Sequence, residues 1–281
     1  HVRSRRQRQM CIRDRVGMVI APTQPDFLDA SLSLFFVAIG AGAAGALNMW
    51  YDAEIDGIMT RTCLRPIPLG KIKNNHALVF GTVLSFISVA GLYFFSNFLS
   101  ALILAITILF YIFIYTIWLK RSTPQNIVIG GAAGAFPPVI GWTISTNTIG
   151  IEPIILFLII FLWTPSHFWA LSLYKNEDYK KAKIPMLSVV SGEEVTKKNI
   201  LFYSIILWPF TLAPYFLNFS SYSNFAFVVI FGFFSIFLSF KLLITKTKSA
   251  SNKIARTIFI YSIFYLFFIF STILIDNYFF I

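Results

Sequence analysis

The sequence predicts an all-α fold, a polytopic membrane helix bundle with eight transmembrane helices and a truncated first helix. Three observations predict this class. Apolar residues make up 57% of the 281 residues and charged residues only 12%, whereas charged residues are about a quarter of a typical soluble domain. Eight segments are apolar and long enough to cross about 30 Å of hydrocarbon as helices. Finally, basic residues occur only in alternate connections between these segments.

The eight predicted spans are separated by short polar connections. Each span reverses the direction of the chain, so odd-numbered connections lie on one side of the membrane and even-numbered connections on the other. The predicted spans are 28–50, 77–96, 99–118, 126–145, 151–173, 200–219, 224–245 and 257–279.

The basic residues predict the orientation of the chain. All lysines and arginines after residue 15 lie in or beside odd-numbered connections, and the even-numbered ones, near Asn97, Asn147 and Ser221, contain none. The positive-inside rule makes the odd-numbered connections cytoplasmic. We therefore expect an integral protein of the cytoplasmic (inner) membrane, surrounded by the lipid bilayer. The net charge of +11 follows from this topology and does not indicate nucleic-acid binding.

The amino terminus departs from this pattern. Residues 1–15 contain six arginines, and the letters MCIRDR at Met10–Arg15 look like translated sequencing-adapter DNA. Val16–Pro22 is too short to span a bilayer and lacks a convincing signal-peptide cleavage site. We expect residues 1–15 to be a non-native arm and residues 16–281 to form a single membrane-embedded domain. Val16–Pro22 would be the far end of a further helix.

Three polar residues recur at every fourth position where the first span ends: Asn48, Asp52 and Asp56. This spacing places them about a turn apart on one face of a helix. Two carboxylates stacked in this way repel each other unless a cation lies between them. A solvated helix end is the simpler interpretation. A Mg2+ site for a phosphorylated substrate is the sharper one, because Mg2+ commonly bridges one or two carboxylates and substrate phosphates.

Basic residues follow this trio in a short loop that contains two prolines. Arg61, Arg65 and Lys71 lie in the loop, and Lys175 lies on the same predicted side of the membrane. Arginine forks suit phosphate oxygens, and lysine supplies a point charge. The positive-inside rule alone would also place basic residues here. Together with the acidic trio, however, they predict a diphosphate site.

A second group of polar and aromatic residues lies at the end of the fifth span. Trp163, His167, Leu171, Tyr174 and Asp178 follow at steps of three or four, so they share one side if the helix continues through the membrane boundary. An intramembrane histidine is a functional-site candidate, with a hydrogen-bonded structural role as the alternative. Asp178 is either a further Mg2+ ligand or a solvated acid in a lysine-rich loop. The predicted metal-binding set is Asn48, Asp52, Asp56 and Asp178.

The run GAGAAGALNMWYDAEIDGIMTRTCLRPIPLGKI, residues 40–72, is similar to the first signature of the UbiA-type intramembrane prenyltransferases. The phrases WTPSHFWALSLYKNEDYKKAKIPMLSVVSG and GAAGAFPPVIGW resemble those members that farnesylate protoheme IX. The resemblance extends over essentially the whole chain from Val16. It implies nine helices around a central cavity that opens toward the cytoplasmic interface. Residues 16–281 would then be a prenyltransferase domain with the first helix truncated.

The resemblance also implies a reaction. A farnesyl group would pass from farnesyl diphosphate to a vinyl group of protoheme IX (heme b) to make heme O, with Mg2+ assisting the departure of diphosphate. The family holds Mg2+ and the prenyl diphosphate with two aspartate-rich motifs, of which the second here has Tyr174 in place of its first acid. Heme A synthase or terminal oxidase assembly would be the protein partners. The implied catalytic residues are Asn48, Asp52, Asp56, Asp178 and His167, and the candidates for contact with heme or the prenyl chain are His167, Trp163, Trp169, Tyr174 and Tyr51.

Two alternatives stay open at this point. Another UbiA-type transferase would act on a quinone precursor or a chlorophyll-like ring. A membrane transporter is the alternative from a different class, since paired prolines such as Pro137 and Pro138 can break a helix within the membrane. Against a transporter, the polar residues gather at one interface and no charged pathway crosses the midplane.

Overall fold

The computed structural model describes residues 13–279 of the chain. Every regular element within this range is a helix, and eight helices in it are long and apolar enough to cross a membrane. The predicted all-α membrane bundle with eight spans is therefore confirmed. Most of the predicted non-native arm, residues 1–12, lies outside the described residues. Residues 13–19 form a short helix, α1.

The first four spans and their connections contain eight further elements. The third span changes from α-helical to π-helical hydrogen bonding before it ends, and the fourth is divided at Phe136, because Pro137 begins a new helix and has no N–H to continue the old one. The elements are α2 (Phe27–Tyr51), a short α3 (Ala53–Ile58), α4 (Asn74–Phe95), α5 (Phe98–Leu109) with the π-helical segment Phe110–Leu119 and α6 (Lys120–Ser122), α7 (Asn126–Ala135) and α8 (Pro137–Thr146).

Two short helices lie in the connection between the fifth and the sixth span. Two of the last four spans begin before their predicted starts at 200 and 257, because helical hydrogen bonding continues into polar residues that hydropathy does not count as membrane-spanning. The elements are α9 (Ile151–Tyr174), α10 (Asn176–Lys181), α11 (Leu187–Val190), α12 (Gly192–Phe216), α13 (Tyr222–Ile244) and α14 (Lys248–Phe279).

Glycines allow the closest helix contacts in the bundle. A Cβ on Gly81 of α4 would lie 2.7 Å from Cγ of Leu47 on α2. A Cβ on Gly17 of α1 would lie 2.0 Å from the carbonyl oxygen of Pro138 on α8. Small residues let helix backbones approach in this way inside membranes. As a result, α1 fits directly against α8, and α2 against α4 beside the polar trio.

The connections at the two ends of the bundle differ in length and chemistry. One end, called the loop end here, carries the connections 52–73, 123–125, 175–191 and 245–247. The opposite end has shorter links at 96–97, 147–150 and 217–221. The trio therefore lies at the loop end, where α3, α6 and α10 also gather.

Candidate active site

The trio lies where α2 passes into α3. The backbone N–H of Asp52 bonds the carbonyl of Asn48 at 2.9 Å, and the N–H of Asp56 bonds the carbonyl of Asp52 at 2.8 Å. Helical hydrogen bonding thus continues through the junction and stacks the three residues one turn apart. Their exposed fractions are 8%, 0% and 3% in chain order. Such burial excludes a solvated helix end.

The Asp52 carboxylate has one oxygen engaged and one left over. The Asn48 amide nitrogen donates to Asp52 Oδ2 at 2.7 Å and to Thr116 Oγ1 at 3.1 Å. Oδ1 of Asp52 is buried and has no hydrogen-bond partner in the described structure. The Arg121 guanidinium lies 3.9 Å from this oxygen. A buried carboxylate oxygen without a partner costs free energy, so this atom is well suited to ligating a cation.

Each buried aspartate of the trio is paired with a basic side chain. Lys120 of α6 forms an ion pair with Asp52, and Arg65 of the following loop forms one with Asp56. Arg121 lies over the Tyr51 ring, 4.6 Å from its centroid, and donates to the Tyr51 carbonyl at 3.2 Å. Both carboxylates of the trio therefore have a basic side chain as a direct neighbour.

Three residues at the site were not predicted from the sequence: Lys120, Arg121 and Thr116. Lys120 and Arg121 end a span on the predicted side of the trio, which is a signal that could have drawn attention to them. Thr116 carries no such signal, because only the tertiary contact between α2 and the π-helical segment brings it to Asn48.

The other predicted phosphate-binding residues lie at the loop end with different surroundings. Arg61 is exposed, yet its charge acts on the hydroxyls of Tyr115 and Tyr174. Lys71 and Lys175 are exposed, and neither forms an ion pair within residues 13–279. Of the predicted basic residues, only Arg65 is thus in direct contact with the trio.

Asp178 lies at the same end of the bundle, but on a separate short helix, α10. The expected continuous helix through Asp178 does not form, because α9 ends at Tyr174 and the backbone turns at Lys175 (φ −114°, ψ 23°) before α10 begins. Oδ2 of Asp178 accepts a hydrogen bond from the Thr60 hydroxyl at 2.5 Å. This bond ties α10 to the loop that follows α3, and so joins the two acidic segments.

The acidic side chains do not form a complete metal-binding site by themselves within residues 13–279. Among residues 13–279, no three His, Cys, Asp or Glu side chains converge closely enough to hold a metal ion. Mg2+ often uses only one or two carboxylates and takes its other ligands from water and substrate phosphates. The unpartnered Oδ1 of Asp52 and the neighbouring Asn48 amide fit such an open site. The four-residue ligand set stays a prediction.

His167 is held in a stacked aromatic group between α9 and α14. Its ring lies between those of Trp163, at a centroid distance of 4.2 Å, and Phe259, at 4.4 Å. Nδ1 lies 2.7 Å from the Ser262 hydroxyl, which donates its own hydrogen to the Phe259 carbonyl at 2.9 Å. The direction of the bond between Nδ1 and Ser262 depends on the tautomer of the ring. The indole of Trp163 is fixed to the Ser262 carbonyl at 2.8 Å.

The remaining aromatic candidates divide into two groups. Tyr51 lies at the loop end beneath Arg121, and the Tyr174 ring contacts Phe259 at a centroid distance of 6.0 Å. Trp169 instead is 1% exposed and lies against Tyr203 of α12. The structure thus brings Tyr51 to the trio and Tyr174 to the His167 group, whereas Trp169 fills the interface between α9 and α12.

The family of this chain follows from its sequence. The sequence profile of the UbiA prenyltransferase family matches residues 15–263. The chain therefore belongs to the UbiA prenyltransferase family.

Several relatives of this chain are described as protoheme IX farnesyltransferases. The chain is 58% identical over 262 residues to a protoheme IX farnesyltransferase from Pelagibacter ubique, covering 93% of this chain and 86% of that protein. It is 52% identical over 263 residues to a protoheme IX farnesyltransferase from Rhizobium etli, covering 93% and 83%.

Solved structures show the same fold at lower sequence identity. A structure of a digeranylgeranylglyceryl phosphate synthase superposes with a TM-score of 0.78 at 21% identity and covers 94% of this chain and 93% of its own. A UbiA homolog from Archaeoglobus fulgidus, bound to DMAPP and Mg2+, gives a TM-score of 0.69 at 19% identity and covers 96% of each chain.

Proposed function

We propose that this chain transfers a farnesyl group from farnesyl diphosphate to a vinyl group of protoheme IX and so makes heme O. The observation that carries the diphosphate chemistry is the buried Asp52, which is paired with Lys120 and keeps one oxygen without a hydrogen-bond partner. The choice of acceptor rests on relatives described as protoheme IX farnesyltransferases, one of them 58% identical to this chain.

The trio and its basic neighbours would bind the diphosphate head. Asn48, Asp52 and Asp56 would hold Mg2+, and Asp178, which Thr60 ties to the loop after α3, would be the further ligand. Mg2+, when bound, supplies Lewis-acid neutralisation of the diphosphate oxygens. Lys120 and Arg65 lie beside these carboxylates and offer N–H donors to the same oxygens. Arg61, Lys71 and Lys175 surround them with positive charge at the loop end.

The reaction then follows from charge separation in a water-poor site. The bond between farnesyl C1 and oxygen breaks, and its electron pair leaves with the diphosphate. The allylic cation that remains is attacked by the vinyl π electrons of protoheme IX. Water adds to the resulting carbocation next to the porphyrin and loses a proton, which gives the hydroxyethylfarnesyl group. Basic side chains stabilise the departing diphosphate, and the face of Tyr51 is suited to a nearby cation.

The acceptor would lie on the α9 and α14 side of the loop end. His167, Trp163 and Tyr174 are the candidate residues of this region, together with Tyr51 beside the trio. The role of Trp169, which lies between α9 and α12, stays a prediction. Ser262 holds the side chains of His167 and Trp163 in place. These two side chains would form part of the surface that binds the heme. The heme is a substrate here, and the proposed steps use no iron chemistry.

The proposal includes a membrane, an orientation and partners. The chain would reside in the cytoplasmic membrane with its loop end in the cytoplasm, where soluble farnesyl diphosphate is available. The absence of Lys and Arg from links 96–97, 147–150 and 217–221 supports this orientation. Labelling of a cysteine introduced at Lys71 by an impermeant reagent outside the cell would contradict it. The product would pass to heme A synthase or to terminal oxidase assembly.

Replacing Arg65 with glutamine is expected to raise KM for farnesyl diphosphate about tenfold to hundredfold, which corresponds to a charged hydrogen bond of about 1.5–3 kcal/mol. KM for protoheme IX should stay unchanged, because Arg65 contacts the acid trio and lies apart from the His167 group. Steady-state kinetics with each substrate varied in turn measures this. Lys253→Gln, an exposed charge at the same end, is the control. Equal changes in both KM values would contradict the assignment.

A competition experiment distinguishes the acceptors. Purified protein in lipid nanodiscs would receive radiolabelled farnesyl diphosphate together with protoheme IX, a quinone precursor and a chlorophyll-like ring. The proposal predicts label in the heme fraction. Label in another acceptor would favour another prenyltransferase of the same family, and solute movement without diphosphate release would favour a transporter.

A further inference from the structure

Thr116 occupies a position where the third span is π-helical. It is completely buried, and its hydroxyl donates to the Tyr111 carbonyl, five residues earlier, at 2.8 Å. A hydroxyl has one hydrogen to donate and lone pairs with which to accept. Since the hydrogen is used within its own helix, the Thr116 oxygen can only accept from a residue on a neighbouring helix. Short π-helical segments frequently occur at functional sites.

The neighbouring residue is Asn48. Its amide nitrogen lies 3.1 Å from Thr116 Oγ1 and 2.7 Å from Asp52 Oδ2. An ionised carboxylate is also only an acceptor, so both partners require the NH2 group of Asn48. The orientation of the amide is therefore fixed by chemistry, and its oxygen is directed away from both partners. None of the hydrogen bonds of Asn48 within residues 13–279 uses that oxygen.

We infer that Thr116 is a positioning residue that keeps the amide oxygen of Asn48 available to a divalent cation beside Asp52. This inference rests on the proposed function and deepens it. A cation on Asp52 would compete for the carboxylate lone pairs and weaken the hydrogen bond that Asn48 donates to Asp52. The bond to Thr116 does not involve the carboxylate, so it continues to hold the amide when the cation is present. Without it, the amide can rotate and turn its NH2 group toward the cation.

The test compares Thr116→Val, which keeps the side-chain shape without the hydroxyl, with Thr116→Ser, which keeps the hydroxyl. The probe is Mn2+, followed by electron paramagnetic resonance on the full chain in nanodiscs with the unreactive analogue farnesyl thiolodiphosphate. We expect Thr116→Val to weaken Mn2+ binding about tenfold to hundredfold, as removal of an outer-shell partner does. Thr116→Ser should bind Mn2+ like the unaltered protein, and both variants should keep the KM for protoheme IX.

Control variants separate positioning from general damage. Thr107→Val removes a similar hydroxyl bond, to the Ile103 carbonyl at 2.7 Å, from α5 away from the trio; it should leave Mn2+ binding unchanged. Thr116→Ala provides the same comparison if Thr116→Val does not fold. Equal Mn2+ affinity in Thr116→Val and the unaltered protein, or equal weakening in Thr116→Val and Thr116→Ser, would overturn the inference.

Failure of the proposed function gives a different result. If the unaltered protein itself bound no Mn2+ with the analogue, the diphosphate site and the inference that depends on it would both be wrong. If the unaltered protein bound Mn2+, Asp52→Asn abolished binding and Thr116→Val had no effect, only the role of Thr116 would be wrong.

Discussion

Replacing Asp52 with asparagine is expected to lower kcat for farnesyl transfer by at least about 10³-fold, which is about 4 kcal/mol of transition-state stabilisation. The substitution preserves shape, yet it removes the charge of a fully buried carboxylate whose Oδ1 has no hydrogen-bond partner. It also leaves Lys120 without its buried counter-charge. Single-turnover measurement of farnesyl transfer in nanodiscs checks the chemical step, and Mn2+ binding checks the cation site.

The matched control for Asp52 is two residues away. Glu54 lies on α3 between the two buried aspartates, but its side chain is exposed, and it forms no ion pair within the described part of the chain. Glu54→Gln removes the same charge from the same helix and should leave kcat within about twofold, as exposed substitutions usually do. Turnover of Asp52→Asn close to that of Glu54→Gln would remove Asp52 from the active site.

Replacing Lys120 with glutamine is expected to reduce kcat/KM for farnesyl diphosphate about 10²- to 10³-fold, as loss of one donor to developing negative charge does. Lys120 forms an ion pair with Asp52 and is itself mostly buried, so its charge acts at close range with little screening. We expect kcat to fall together with kcat/KM, because the diphosphate gains charge as the bond to carbon breaks. Varying each substrate in steady-state kinetics separates these parameters.

Lys253→Gln serves as the control for Lys120, since Lys253 is an exposed lysine at the loop end. It should keep the kinetic constants of the unaltered protein. An increase of KM for protoheme IX in Lys120→Gln, with farnesyl diphosphate kinetics unchanged, would assign Lys120 to the acceptor side instead and contradict the present account.

The bundle could be predicted from sequence because membrane spans follow directly from apolar length. Eight spans were expected, and the structure has eight candidate spans within residues 13–279. Helix ends were less predictable. α12 begins at Gly192, ahead of the apolar run, because residues such as Glu193 and Lys197 can be helical outside hydrocarbon. Hydropathy reports the solvent around a segment, whereas helix formation depends on backbone hydrogen bonds.

The trio could also be predicted, because a spacing of four places residues on one face of a helix. Although Asp52 separates α2 from α3, residues spaced four apart still lie on one face, as the hydrogen bond from Asn48 to Asp52 shows. The same reasoning did not hold at Asp178, because the helix stops at Tyr174 and restarts after one residue. No residue around Lys175 is a strong signal for the end of a helix. A polar residue such as lysine is compatible both with a continuing helix and with a turn.

The contacts across the site could not be predicted. Lys120 and Thr116 are both 68 residues from their partners in the trio, so only the arrangement of helices brings them together. The π-helical segment matters as well, because it changes which side chains of the third span face α2. The sequence allowed either a functional or a structural role for His167. The structure adds the neighbours that hold its ring, Trp163, Phe259 and Ser262.

The most direct test of the central claim is to identify the product. Purified protein in nanodiscs would receive protoheme IX, farnesyl diphosphate and Mg2+, with the products analysed by mass spectrometry and released diphosphate quantified. The account predicts heme O, formed with one diphosphate for each heme, and none when Mg2+ is chelated. Unchanged protoheme IX beside a farnesylated quinone precursor, or the absence of any diphosphate release, would contradict it.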